Sequence, residues 1–113
     1  MVPSKLPRLM DIIDSIERIE EVLSVVTREE FGAAWQQRWL VERGVEIISE
    51  ASRHLPPELK ERHPHIPWRN VAGIGNVLRH NYESVSAAVL WNLAKDDLPA
   101  LEAVCRLELD IEG

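Results

Sequence analysis

The chain has 113 residues, 45% of them apolar and 28% charged, with a formal net charge of −6. These values fit one globular domain around a single hydrophobic core, and the acidic balance excludes a protein that coats nucleic acid non-specifically. No run approaches the roughly 18 uninterrupted apolar residues of a membrane span. Residues 1–10 hold two prolines and no apolar signal core, and the single cysteine, Cys105, has no internal partner, so a reducing cytoplasm is the expected compartment.

Taken in order, the chain reads as helices. Leu6, Leu9, Ile13, Ile16, Ile19, Leu23 and Val26 repeat at the three-and-four spacing of one helix face, with Asp11, Glu17, Arg18, Glu20 and Glu21 opposite. Thr27 and Glu30 form a capping box for a second helix over 28–54, with an irregularity near Gly32. That helix is expected to bury Phe31, Trp35, Trp39 or Leu40, Val45, Ile48 and Ala51, and Pro56-Pro57 ends it. Residues 55–66 read as a polar connector with three prolines and two histidines.

Pro67 suits the first turn of a third helix over 68–82, which Gly73 and Gly75 weaken by about 1 kcal/mol each relative to alanine. Ser84 is the expected cap of a fourth helix carrying Val85, Val89, Leu90, Trp91 and Leu93. Asp96 or Asp97 caps a fifth, with Pro99 in its first turn and Leu101, Val104, Leu107 and Leu109 following. Without an alternating strand pattern or a repeat, the expected fold is an all-α, four- to five-helix up-down bundle, one domain over 1–113.

The segment Gly75-Asn76-Val77-Leu78-Arg79-His80-Asn81-Tyr82 carries the chemistry. It holds the only tyrosine, two residues after a histidine, and it ends the one basic stretch of the chain. Between Lys60 and His80 four cations (Lys60, Arg62, Arg69, Arg79) stand against Glu61 alone. Histidine titrates near neutrality and arginine offers a fixed bidentate fork, so such an island suits the handling of phosphate. Taken singly, each residue also has a plainer role: His80 as a surface or capping histidine, Tyr82 as a half-buried aromatic, Arg79 as a solvated charge. His63-Pro64-His65 reads as a solvated loop and not a metal site, because a closed zinc site needs four ligands. Arg43 and Glu46 read as a helix-surface ion pair, and Cys105 as a core residue.

Three stretches, residues 41–51 (Val-Glu-Arg-Gly-Val-Glu-Ile-Ile-Ser-Glu-Ala), Ile66-Pro67-Trp68-Arg69-Asn70 and His80-Asn81-Tyr82, together resemble HEPN-domain proteins of the HepT type, the toxin half of HepT/MntA toxin–antitoxin pairs. Leu98-Pro99-Ala100-Leu101 is similar to the closing helix of that family. The resemblance implies a homodimeric helical bundle in the cytoplasm with metal-independent endoribonuclease activity and no cofactor. It also implies an RNA substrate and a cognate minimal nucleotidyltransferase antitoxin that adenylylates the motif tyrosine, here Tyr82. His80 and Arg79 become the candidate catalytic residues, and Arg69 and Asn76 the candidate RNA- or nucleotide-binding residues.

One departure from the family pattern matters. The motif is an arginine, four to six residues, a histidine, one residue and a tyrosine. Positions 73, 74 and 75 hold Gly73, Ile74 and Gly75, so no arginine precedes His80 at that spacing. Arg79 lies one turn after Gly75 and could lean back over the space the glycine leaves. Alternatively Gly75 packs at a helix crossing and the domain is a catalytically inactive module that binds nucleotide, RNA or the nucleotidyltransferase. A plain helical interaction domain, assembled through its four tryptophans, is the third reading.

Overall fold

A computed structural model of the chain describes residues 5–81, 83 and 85–112. Their α-helices are α1 (Leu6–Leu23), α2 (Arg28–Ala33), α3 (Trp35–Arg53), α4 (Pro57–Arg62), α5 (Trp68–His80), α6 (Ala87–Asn92) and α7 (Leu98–Glu112), with a π-helical turn, Leu93–Asp97, joining α6 to α7. The all-α expectation holds, but the elements are more numerous than four or five. Helix α3 is central: α1 packs on one side of it and α5 on the other, and α1 also lies against α7.

The predicted face of α1 is buried, with Ile12 added to Leu9, Ile13, Ile16, Ile19 and Leu23, while its acidic residues remain outside. Gly44 lets α3 come close, since a Cβ there would stand 2.8 Å from Ile19 Cδ1. The Thr27 capping box forms in full: Thr27 Oγ1 accepts the Glu30 N–H (3.1 Å) and Glu30 Oε1 accepts the Thr27 N–H (2.8 Å).

The second predicted helix is two helices. Ala34, at φ −98° and ψ 83°, leaves the helical region and breaks it. The break turns Phe31 into the core, 5.8 Å from the Trp91 ring, and sends the next turn outward. Trp35, Trp39 and Leu40 are therefore 58%, 64% and 59% exposed, contrary to the expected burial, whereas Val45, Ile48 and Ala51 are in the core.

The polar connector is also structured. Its α4 is one and a half turns long, and Leu55, Leu59 and Ile66 are buried. His63 is not a solvated loop residue. It is buried, and its Nε2 donates to Glu108 Oε2 at 2.7 Å. Glu108, 1% exposed on α7, also accepts from Arg62 Nη2 at 2.6 Å and Lys5 Nζ at 3.4 Å. A buried carboxylate without partners would be strongly disfavoured, and the hydrogen bonds from these three side chains hold it well below the usual carboxylate range, at about 2, the Arg62 hydrogen bond contributing most. The cluster ties α7 to the N-terminus and to the segment before α5. That segment in turn fixes the start of α5, because the His63 carbonyl accepts the Trp68 indole N–H at 3.0 Å.

Helix α6 begins two residues later than expected. Its cap is Ser86, whose Oγ accepts the Val89 N–H; the expected cap, Ser84, lies outside the described residues. No break separates the last two helices. Asp96 and Asp97 lie inside the π-helical turn and cap nothing. Among the described residues no helix is long and apolar enough to cross a membrane.

Candidate functional site

Helix α5 carries the candidate residues, and its position is set by an unusual clamp. The carbonyl of Ala72, in the middle of α5, accepts Ser49 Oγ–H (2.8 Å), Arg53 Nε–H (3.0 Å) and Arg53 Nη2–H (2.6 Å), all from α3. Ser49 Oγ also accepts the Gly75 N–H at 3.1 Å. A Cβ on Gly75 would stand 2.6 Å from that oxygen and 2.9 Å from Ser49 Cβ. Gly75 is thus a packing glycine at the α3–α5 crossing. The space is filled by Ser49, and Arg79 does not enter it.

The C-terminal turn of α5 brings three candidates together. Arg79 leans one turn back, as helical side chains do, and its Nη2 donates to Asn76 Oδ1 at 2.9 Å. His80 follows Asn76 at i+4 and shares its face. All three are exposed. A cationic side chain is favoured here because the helix ends with unpaired carbonyls. The helix stops when Asn81 takes φ −154° and ψ 50°. Further on, the Val85 carbonyl is held by Arg38 of α3, which also bonds Glu42.

Arg69 is exposed but is not part of this cluster. It lies on the same stripe of α5, with Gly73 and Asn76 between it and His80 at helical spacing, and about 16 Å along the axis from His80. A Cβ at Gly73 would touch nothing within 4 Å, so the stripe is open. The basic island is divided as well, since Arg62 is engaged with Glu108. Tyr82 lies outside the described residues.

On its other flank Arg79 borders a shallow cavity of about 170 Å³ shared by α1, α3 and α5, with Arg8, Arg43, Glu46 and Glu50. Arg43 and Glu46 form the expected surface ion pair, 3.5 Å apart. The Glu50 carboxyl is lowered chiefly by its hydrogen bond with His54, then by the charges of His54, Arg53 and Arg79. Among the described residues no three His, Cys, Asp or Glu side chains converge as a metal site would need. Sequence reasoning missed Ser49, Arg53 and Arg38, which set α5 and the chain after it. No local pattern marks them, because each acts on residues 19 to 47 positions away.

The chemistry available at the end of α5 is a proton acceptor or donor, a permanent cation and an amide, all open to a phosphodiester strand. Comparison with known proteins gives the family of the chain. The family described as "Ribonuclease HepT-like" matches residues 12–107. The protein named "Probable ribonuclease HepT" of Thermococcus cleftensis is 40% identical over 94 residues, covering 83% of this chain and 86% of the relative. "Putative RNase MJ1380" of Methanocaldococcus jannaschii is 33% identical over the same length and the same shares. No solved structure is significantly similar. With a family match over residues 12–107 and a relative 40% identical across 83% of its length, the chain belongs to the HepT-like ribonuclease family.

Proposed function

We propose that the chain is a HepT-like toxin of a type VII toxin–antitoxin pair that acts on RNA as a metal-independent endoribonuclease, in a diverged and weakly active form. The observation that carries this reading is the exposed His80 on the last turn of α5 beside the Asn76–Arg79 pair. His80 takes the proton of a ribose 2′-hydroxyl as that oxygen attacks the adjoining phosphorus. The 5′-oxygen leaves with a proton from water, and the products are a 2′,3′-cyclic phosphate and a 5′-hydroxyl. Arg79 stabilises the charge that develops on the phosphoryl oxygens. Loss of the motif arginine at Gly75 lowers the rate by roughly 10² to 10³-fold if it resembles loss of one oxyanion donor.

The test is cleavage of an RNA oligonucleotide in the presence of a chelator. Wild type should cut slowly, His80→Ala and Arg79→Ala should not cut, and a strand with 2′-deoxyribose throughout should survive. Cleavage that persists in His80→Ala would remove the mechanism.

The second reading is an inactive module that binds nucleotide, RNA or a nucleotidyltransferase. It is favoured by Gly75, since Ser49 leaves no room there for a longer side chain. On this reading wild type and both variants are equally inactive, while a cognate nucleotidyltransferase is retained on the immobilised chain. Both readings place the protein in a homodimer with such a partner, which transfers AMP to Tyr82. The bulky anion would then block the strand by volume and like charge. Mass spectrometry after co-expression should find the added AMP on the peptide containing Tyr82.

A further inference from the structure

Helix α5 rests on α3 but stands apart from α7, and the gap is a cavity of about 200 Å³. Val71 and Ile74 of α5 form one wall, Leu93 and Leu98 the other, and Val45 and Ile48 of α3 the floor. Two polar residues line it: Asn70 of α5 and Asp97, the last residue of the π-helical turn. Both are exposed, and neither side chain is hydrogen-bonded to another described residue. The volume lies below the roughly 300–1,000 Å³ of sites for drug-sized molecules, and is in scale with one flat heterocycle.

We infer that this cavity binds a single nucleobase of the RNA strand, guanine in preference to the other three. The inference rests on the RNA-binding reading above and extends it to base selection. Aliphatic walls can cover both faces of a planar ring. The carboxylate of Asp97 only accepts hydrogen bonds. Guanine alone among the standard bases presents two adjacent donors, N1–H and N2–H, which one carboxylate can take bidentately. Adenine and cytosine place a ring acceptor beside their amino donor, and uracil flanks its N3–H with two carbonyls, so each sets a lone pair against Asp97. The Asn70 amide donates to guanine O6, which neighbours N1.

The position agrees with the strand direction drawn by the open stripe of α5. Arg69, next to Asn70 and exposed, meets the phosphate of the captured nucleotide. Asn70 is ten residues before His80, about 15 Å along the helix, so the recognised base sits roughly two to three nucleotides from the phosphate at His80.

The experiment uses the full chain carrying His80→Ala, so that binding is read without turnover. Guanosine, adenosine, cytidine and uridine 5′-monophosphates are titrated separately and followed by the methyl resonances of Ile74 and Leu98. Guanosine monophosphate should bind roughly ten- to a hundredfold more tightly than the others. Asp97→Asn, an isosteric change at an exposed site, should abolish that preference and raise the relative affinity for adenosine monophosphate. Ile74→Trp, which fills the cavity, should remove binding of all four. Equal affinities, a guanosine preference unchanged in Asp97→Asn, or protection of the two methyls by self-association at rising concentration would each overturn the inference. Cleavage by wild type with no guanosine preference would sink the base pocket and leave the ribonuclease reading standing. Guanosine binding without cleavage would do the reverse.

Discussion

Ser49 Oγ occupies the position that a side chain on Gly75 would need, bonded at once to the Gly75 N–H and the Ala72 carbonyl. The departure from the family pattern at position 75 is therefore coupled to a residue 26 positions earlier. Gly75→Ala should destabilise the chain by about 1–2 kcal/mol, overpacking outweighing the gain of about 1 kcal/mol in helix propensity. Gly75→Arg meets the same obstacle at its Cβ and should not restore RNA cleavage alone. Combined with Ser49→Gly it should fold more stably than Gly75→Arg alone and gain activity. Thermal melts of the double-mutant cycle read the coupling, expected at about 1 kcal/mol or more. Full activity in Gly75→Arg alone would show that the two positions are independent.

The Glu108 cluster predicts sensitivity to acid. Its carboxyl titrates at about 2 in the folded chain against an ordinary 4.5. A group whose folded value is depressed stabilises the fold above its unfolded value and loses that contribution as pH falls toward the folded one. Glu108→Gln should thus cost about 2–3 kcal/mol at neutral pH. The gap from wild type should close as pH falls from about 4.5 to about 2. Denaturant melts across that range check it, and a gap constant with pH would mean that packing, not charge, holds α7 here.

Exposed Trp35 and Trp39 stack edge to face, ring centroids 5.0 Å apart, with Leu40 beside them. Val45 and Ile48 lie inside the protomer and cannot form the dimer face. If two copies meet, this outward turn of α3 is the surface they bury. Light scattering at tens of micromolar should give a dimer for wild type and a monomer for Trp35→Ser/Trp39→Ser. A dimer unchanged by both substitutions would place the interface elsewhere.

Burial raises the Cys105 thiol to about 12. At pH 8 it should therefore stay unmodified by a thiol-reactive disulfide reagent in the native protein and react at once in guanidinium. Fast labelling of native protein would require α7 to open locally.

Periodicity made α1 and the body of α3 legible, because each repeats its apolar residues over several turns, and Pro67 marked the start of α5. The capping box marked the start of α2, and Pro56-Pro57 the end of α3, for reasons confined to a few residues. Helix α4 has a single buried side chain, Leu59, too little for any period to register. Gly32 marked an irregularity two residues before the Ala34 break, but nothing local said that the helix would part there and turn Trp35 and Trp39 outward. The cluster of Asn76, Arg79 and His80 was legible because helical spacing alone assembles it. The fate of Gly75 was not, since it depends on which residue of α3 faces it. His63 read as solvated for the same reason: Glu108, its partner, stands 45 residues away.

The π-helical turn between α6 and α7 has a consequence for how this chain can change. Such a turn holds one residue more than the α-helix it interrupts. Deleting a single residue from 93–97 would let α6 and α7 merge into one regular helix. The two would then rotate against each other by roughly 100°. Phe31 would lose its packing on Trp91, and Asp97 would leave the mouth of the cavity beside α5. What stands at that mouth is therefore set by the length of the turn as well as by the identity of its residues. Insertion or deletion there can withdraw Asp97 from the mouth in one step, with no residue of the α5 wall replaced.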